Sequence, residues 1–374
     1  MDDTDAMDGT GTFVRSAAEA RPGQLLLECR APNRASSHAF DLHPDGSLLV
    51  VGTVPESGYG AEFHVVDVAT GEQRLVHAEA AGARQAAVHA VLFDTAGTGL
   101  VYAVDGRTCH VDLGSGAVRE LAAYEQGKTA SFNPYCLRPQ WDAARQRLLL
   151  FDAGDAVRVV AMAGPEAEQA GGVADLCRLS TRDDDAGPAA TEVRAAALSR
   201  DGSRLALHRV SRGIVYGHDD AAHDTTNEVE LRDVDTGVLL RRIPLPAPLH
   251  TDGIGSLGFA PDGTSLVADP EPAQGPCGID AESGRLLWAF PHAHRNDRWD
   301  ECFGWAYSPA GDLLAVGRYT AGRGITLHDA GDRSPYPLAL ERVENQRVMR
   351  LVFAADGTRL AAGGSAGMLT VRAI

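Results

Sequence analysis

HPDG at residues 43–46 returns along the chain as DTAG (94–97), SRDG (199–202), APDG (260–263), SPAG (308–311) and AADG (354–357). The intervals between the closing glycines are 51, 105, 61, 48 and 46 residues. Self-similarity at such a period marks an architecture assembled from repeated supersecondary units. The interval of 105 is about twice the others, so a degenerate copy belongs between Gly97 and Gly202. WDAARQRLLLF (141–151) fills that place with its glycine replaced. The count is then about seven units.

Each turn lies between short apolar segments. Before it, MRLVFA (349–354) alternates Met349, Leu351 and Phe353 with other residues, which is strand period. After it come LLVVG (48–52), LALH (205–208), LLAVG (313–317) and LAAGG (360–364), which read as strands buried on both faces. A second turn follows about twenty-five residues later as DVATG (67–71), DLGSG (112–116), DVDTG (233–237) and DAESG (280–284), with DAGD (329–332) as a shortened relative. In each, the Asp carboxylate is suited to accept backbone N–H groups and the glycine to take the left-handed position. Two tight hairpins make four strands per unit, and no amphipathic helical period competes.

A four-stranded antiparallel unit has open edges and too little core to stand alone, and radial closure solves both problems. The sequence therefore predicts an all-β, seven-bladed β-propeller. Its blades fall near 36–80, 86–124, 132–180, 191–246, 253–290, 302–341 and 347–374. The last unit has only three strands, ending at LTVRAI (369–374), while QLLLECR (24–30) stands alone before the first. Strand 24–30 is expected to complete the seventh blade, leaving residues 1–20 as a flexible acidic tail and 21–374 as one domain.

LHTDGIGSLGFAPDGTSLVA (249–268) and RVMRLVFAADGTRLAAGGSAG (347–367) resemble the WD-repeat propeller family, especially its divergent bacterial members. The family's Trp-Asp ending is never intact here. Its Asp survives at Asp67, Asp112, Asp233, Asp280 and Asp329, and its histidine position is matched well only by His250. The resemblance implies a propeller that binds proteins, without the family's His–Asp network in most blades. GIDAESGRLLWAF (278–290) also resembles a quinoprotein repeat, but it occurs once.

Fifty-one acidic against 34 basic side chains give a formal charge of −17, which repels phosphate backbones and anionic membrane alike. Nucleic-acid and membrane partners are not expected. The six cysteines lie far apart without a C-x-x-C pair, so neither a zinc ribbon nor a redox motif is indicated. No secretory signal opens the chain and no window is apolar enough to span a bilayer, which points to a cytoplasmic protein.

Length variation falls in the connections other than the two hairpins, all on the opposite face. Repeat proteins commonly carry insertions on their binding face. In HDDAAHD (218–224), His218 and His223 stand with Asp219, Asp220 and Asp224, residue types able to hold a divalent metal, although no recognised ligand spacing is matched. A solvated polar loop explains the same residues. Nearby connections add Tyr216, His250, Asp252, His292, His294, Arg318 and Tyr319. RNDRWDE (295–301) adds Arg295, Arg298 and Trp299, residue types that anchor protein interfaces. Catalytic motifs such as G-x-S-x-G, H-E-x-x-H or a phosphate-cradling glycine loop are missing. The reading is a non-catalytic interaction protein without a cofactor, binding a protein or peptide through its loop-rich face, with room for a small molecule at the central channel. The alternative is a metal-assisted hydrolase or lactonase with its site at the channel mouth.

Overall fold

The recurrent turns hold their shape through backbone conformation and a carboxylate together. Their glycines, Gly46 to Gly357, all have φ between 66° and 81°, where a Cβ would be strained. Asp45, Asp201, Asp262 and Asp356 each accept the N–H two residues on, at 2.8–3.0 Å. In the second turn family Asp67, Asp112, Asp233 and Asp280 accept the N–H three residues on, at 2.6–2.8 Å. Hydroxyl and N–H donation from Ser115, Thr236 and Ser283 holds Asp112, Asp233 and Asp280 below the ordinary carboxylate range.

The computed structural model describes residues 12–16, 20–31, 34–55, 60–79, 88–123, 139–142, 146–152, 156–162, 173–180, 191–211, 227–245, 254–270, 275–290, 304–317, 324–340, 348–364 and 367–374. These form seven antiparallel sheets, the blades of a β-propeller. Blade one is β3 (Arg34–Leu42), β4 (Leu48–Val54), β5 (Ala61–Asp67) and β6 (Gln73–Glu79). Blade two is β7 (Val88–Phe93), β8 (Gly99–Val104), β9 (Arg107–Asp112) and β10 (Val118–Ala123). The blade inferred from the long interval exists as β11 (Gln140–Trp141), β12 (Arg147–Asp152), β13 (Ala156–Ala161) and β14 (Ala174–Ser180). Blade four is β15 (Thr191–Leu198), β16 (Arg204–Ser211), β17 (Asn227–Asp233) and β18 (Leu239–Pro244). Blade five is β19 (Ile254–Phe259), β20 (Ser265–Pro270), β21 (Cys277–Asp280) and β22 (Leu286–Ala289). Blade six is β23 (Gly304–Tyr307), β24 (Leu313–Gly317) and β25 (Ile325–Asp329). Blade seven joins β26 (Val348–Phe353), β27 (Arg359–Gly364) and β28 (Met368–Ala373) to β2 (Leu25–Arg30), with β1 (Phe13–Val14) outside it.

Strand β2 pairs antiparallel with β28, from Leu25↔Arg372 to Arg30↔Met368, so the first complete strand of the chain does fill the seventh blade. Three local features differ from the sequence reading. Within the stretch read as a tail, Phe13 and Val14 pair with Glu28 and Leu27. Among the described residues the fourth position of blade six carries a bridge, His328↔Pro335, and the Tyr336 N–H bond to the Leu327 carbonyl in place of a strand. Pro335 and Pro337 lack the N–H donors a ladder needs. DAGD proves to be the start of a full-length turn, Asp329–Arg333, in which Arg333 (φ 65°) stands where the others have glycine. Its N–H bonds the Asp329 carbonyl at 3.0 Å, as Gly71 bonds Asp67.

The chain divides into two compact units, residues 1–105, 109–119 and 293–374, and residues 106–108 and 120–292. In the first, one apolar core draws on blades seven and one (Leu27, Phe40, Leu49, Ala361, Val371), another on one and two (Val50, Phe63, Phe93, Leu100), and a third on six and seven (Ala315, Leu327, Leu360). In the second, cores join three to four (Leu149, Val159, Leu205, Leu207) and four to five (Ala206, Val229, Leu266, Ile279).

Polar links repeat across these seams. Asp41 Oδ2 accepts the Phe93 N–H at 2.9 Å, and Gln140 Oε1, at the matching position of blade three, accepts that of Leu198 at 3.0 Å. Arg359 donates to the Gly46 carbonyl, and Arg147, its counterpart, to that of Gly202 at 2.9 Å. Cys29, Cys109, Cys177 and Cys277 are buried and stand outside any disulfide, packing as small side chains. No described helix is long and apolar enough to cross a membrane.

Two predictions follow from these contacts. Removing residues 1–11 is expected to leave the melting temperature nearly unchanged, whereas removing 1–30, which takes β2 from blade seven, lowers it steeply; equal effects in differential scanning calorimetry would rule out closure by β2. A Cβ on Gly97 would lie 1.8 Å from His43 Nε2, and that ring is held by Asp45 (2.6 Å) and the edge of Phe93; a Cβ on Gly116, with the same φ of 72°, meets nothing within 4 Å. Gly116→Ala should cost about 1 kcal/mol of unfolding free energy and Gly97→Ala at least twice that, read by urea denaturation.

Candidate functional site

Strand order within a blade assigns every connection to one of two ends. Those from first to second strand, residues 43–47, 94–98, 142–146, 199–203, 260–264, 308–312 and 354–358, are five residues each. Those from third to fourth, at 68–72, 113–117, 234–238 and 281–285, are five as well. The hairpin uniformity expected from sequence fails once, at 162–173 in blade three. From the opposite end leave the connections from second to third strand: 55–60, 105–106, 153–155, 212–226, 271–276, 318–324 and 365–367. The runs to the next blade, 80–87, 124–139, 181–190, 245–253 and 290–303, leave there too. Their lengths range from the two-residue turn Asp105–Gly106, both with positive φ, to the sixteen residues 124–139.

Every residue singled out from sequence falls in these long connections. Tyr216, His218, Asp219, Asp220, His223 and Asp224 lie in 212–226; His250 and Asp252 in 245–253; His292, His294, Arg295, Arg298 and Trp299 in 290–303; Arg318 and Tyr319 in 318–324. All fifteen lie outside the described residues. The described part of this end is the set of strand termini from which the connections spring.

Those termini carry two buried polar clusters. Below 212–226, β16 contributes His208 and Arg209 and β17 contributes Asn227, Glu228, Glu230 and Arg232. His208 is fully buried; its Nε2 is 2.8 Å from Asn227 Oδ1, and its Nδ1 has no hydrogen-bond partner among the described residues. Burial first, and then the charge of Arg194, push its pKa down to about 4 despite the Asn227 bond, so the ring is neutral. On the other face of the sheet, Glu230 is ringed by guanidinium groups. Arg209 Nε lies 2.9 Å from Oε2, and Arg232 donates twice to the same oxygen at 2.9 and 3.0 Å. Arg242 stands 3.3 Å from Oε1. Burial alone would raise the Glu230 pKa; the charge of Arg209 and the hydrogen bonds outweigh it and keep the carboxylate ionised. Arg209 also donates to the Ser180 carbonyl at the end of β14, at 3.0 Å, tying blade four to blade three.

The second cluster is in blades one and two. Tyr102, on β8, is packed against Phe63 (ring centroids 4.6 Å) and donates its hydroxyl hydrogen to Glu79 Oε1. His77 Nε2 is 3.1 Å from the same hydroxyl. Burial and the adjacent Glu79 carboxylate push the phenol's pKa far up, so Tyr102 is a neutral donor. At the other, hairpin end of blade two, His110 Nε2 and Asp94 Oδ2 form a His–carboxylate pair 3.1 Å apart.

Neither cluster follows from the sequence reading. LALH (205–208) reads as an ordinary buried strand, yet the polar run His208-Arg209 against Glu228 and Glu230 in NEVELRD (227–233) is the signal that marks the site. Chemically the described groups are anchors. Burial raises the Cys29 and Cys277 thiols to about 12, which removes them as nucleophiles at neutral pH. Among the described residues no three His, Cys, Asp or Glu side chains are placed to hold a metal ion.

No protein-family model matches the chain, and no curated protein does. Among solved structures it is similar to a chain of "Crystal Structure of Mitotic Checkpoint Complex", with a TM-score of 0.61, 13% identity and 93% of each chain covered. That likeness is one of fold.

The burial of His208 sets a pH dependence. The unfolded chain takes up a proton near pH 6.5 and the folded one only near pH 4, so the unfolded state binds more protons between these values. Stability is therefore unaffected above pH 6.5 and declines as pH falls through the window, by about 3 kcal/mol in all. His208→Gln should flatten that decline in urea titrations; an unchanged slope would count against the assignment.

Proposed function

We propose that this chain is a non-catalytic interaction protein that binds a protein or peptide partner through the blade ends carrying the long connections. The observation behind this reading is the contrast between the ends: all seven first hairpins have five residues, while the opposite connections vary from two to sixteen. A uniform end meets the needs of folding; variable segments on fixed strand termini are where recognition residues collect. Among the side chains carried there, Trp299 with Arg295 and Arg298 and the tyrosines of neighbouring connections are types enriched at protein interfaces. The ion network around Glu230 and the Tyr102 cluster give these segments a rigid base, which limits the ordering entropy lost on binding. The similar chain comes from a structure titled as a complex, which agrees with a role in assembly.

Replacing residues 212–226 by an Asn-Gly turn, on the pattern of Asp105–Gly106, tests the reading. Affinity capture from the native host, compared between the two proteins, should lose a stoichiometric partner while the melting temperature is retained. Retention of every captured protein would refute the role of this connection. A stoichiometric divalent ion in the purified protein, lost in a His218→Ala/His223→Ala variant, would favour the metal-assisted enzyme instead.

A further inference from the structure

In blades four and five the closing glycine of the second turn lies on the outer strand of the blade before it. A Cβ on Gly237 would stand 3.8 Å from Cys177 Sγ and Leu179 Cδ2 of β14, and one on Gly284 3.0 Å from Ile243 Cγ2 of β18. Gly71 of blade one breaks the pattern. A Cβ there would stand 2.7 Å from Val14 Cγ2 and 2.8 Å from Thr12 Cγ2, with Leu27 of β2 only third, at 3.8 Å. The seam between blades seven and one thus holds an inserted strand, β1, whose alternate residues lie over a glycine that a side chain would displace. Thr12 is 8% exposed, and Val14 packs against the core that contains Leu27, Val66 and Val68. Phe13 and Arg15 alternate with them on the other face, the guanidinium 5.3 Å from the ring centroid.

Strand β1 is lightly held and separately hinged. Its ladder is two pairs long, Phe13↔Glu28 and Val14↔Leu27, where strands commonly run to about five or six residues. The Arg15 N–H adds a bond to the Leu26 carbonyl at 2.8 Å, and Arg15 Nη1 one to the Leu25 carbonyl at 3.3 Å. Phe13, Val14 and Arg15 are half-buried and Ser16 is exposed. Beyond Ser16 the chain is fastened afresh. The Gly23 N–H donates to the Ala373 carbonyl at 2.9 Å, and the Gln24 carbonyl accepts the Ala373 N–H at 3.0 Å. Strand β2 has its own ladder with β28, so β1 can leave without unpairing the seventh blade. Terminal segments held in this way open at little cost. Among the described residues the sheets of blades one to five end at their fourth strand and carry no such addition.

We propose that β1 is a resident stand-in for a protein partner. The groove between the outer edge of β2 and the Asp67–Gly71 turn takes up an extended segment of that partner by strand addition, and β1 keeps the groove shut until the segment arrives. The contacts of β1 state the chemistry of the occupant. Two β-branched residues at alternate positions fit over Gly71, where the depth is that of a missing side chain. An aromatic residue between them and an arginine after them cover each other on the open face, and the arginine reaches the Leu25 carbonyl. The tether holds β1 at an effective concentration on the order of millimolar, so a free segment binds the intact chain far more weakly than a chain relieved of β1. This surface uses a hairpin of blade one and none of the long connections, so it stands or falls independently of the reading above.

The probes are two fluorescein-labelled peptides: TGTFVRSA, which is residues 10–17, and TGVYTRSA, which keeps only the pattern. Saturable anisotropy is expected for both with protein lacking residues 1–15, which retains β2, and binding roughly tenfold weaker or worse with the full chain. By hydrogen exchange the bound peptide should restore amide protection at residues 26–28. A TGTFVRSA peptide carrying Val14→Asp should not bind. The same substitution in the full chain, at a half-buried position of β1, should open the groove and bring its affinity for the unaltered peptide to that of the shortened protein. No saturation with the shortened protein, equal affinity in the full chain, or retained binding of the aspartate peptide would each overturn the proposal. Binding of TGTFVRSA alone would overturn it too, since β1 would then be a dedicated structural strand. So would a dimer of the full chain in sedimentation equilibrium that removal of residues 1–15 dissolves, because the groove would then belong to a second copy.

Discussion

Within each compact unit the structure depends on the packing of one sheet against another. A four-stranded sheet whose middle strands are apolar on both faces cannot shed water by itself, and here successive blades supply the cover. Leu205 and Leu207 of blade four lie in one core with Leu149 and Val159 of blade three, while Ala206 and Val229, on the other face, lie with Leu266 and Ile279 of blade five. Side chains of adjacent residues thus serve different neighbours, which is why LALH reads as an unbroken apolar run instead of an alternating one. The seam bonds made by Asp41, Gln140, Arg147 and Arg359 satisfy backbone groups at these same junctions.

A blade with both faces committed to its neighbours, as blade four has, leaves its two ends and its outer edge for function. The hairpin end is held to short turns by carboxylate caps and left-handed backbone. The opposite end is free to vary in length because its connections need only span the distance between strands that the cores already position. The polar clusters of His208, Arg209 and Glu230, and of Tyr102, His77 and Glu79, sit where the apolar seams run out toward that end. The outer edge is the least constrained, and blade seven shows what an extra strand does there.

The seven-unit plan was legible because turns obey local rules. A left-handed residue and an Asp with an N–H two or three positions on leave a mark at fixed spacing, which is how blade three could be placed from an interval alone. Closure was legible for a similar reason: an orphan strand before and a missing one after can be matched by counting. Where a local rule was broken under tertiary support, the reading slipped. Arg333 holds a left-handed position that looked like a missing residue, and Pro335 and Pro337 reduce a strand to a bridge. The twelve-residue connection 162–173 lacks the Asp-to-Gly turn of its counterparts.

The sequence by itself determined the repeat, the strand count, the closing strand and the end at which variation gathers, since each rests on contacts between residues close in the chain or on simple tallies of units. Only the tertiary structure decided the polar sites. His208 and Asn227, or Glu230 and its three arginines, acquire their meaning from distances across strands and blades, and from a burial that shifts the ionisation of some and is outweighed by neighbouring charge in others.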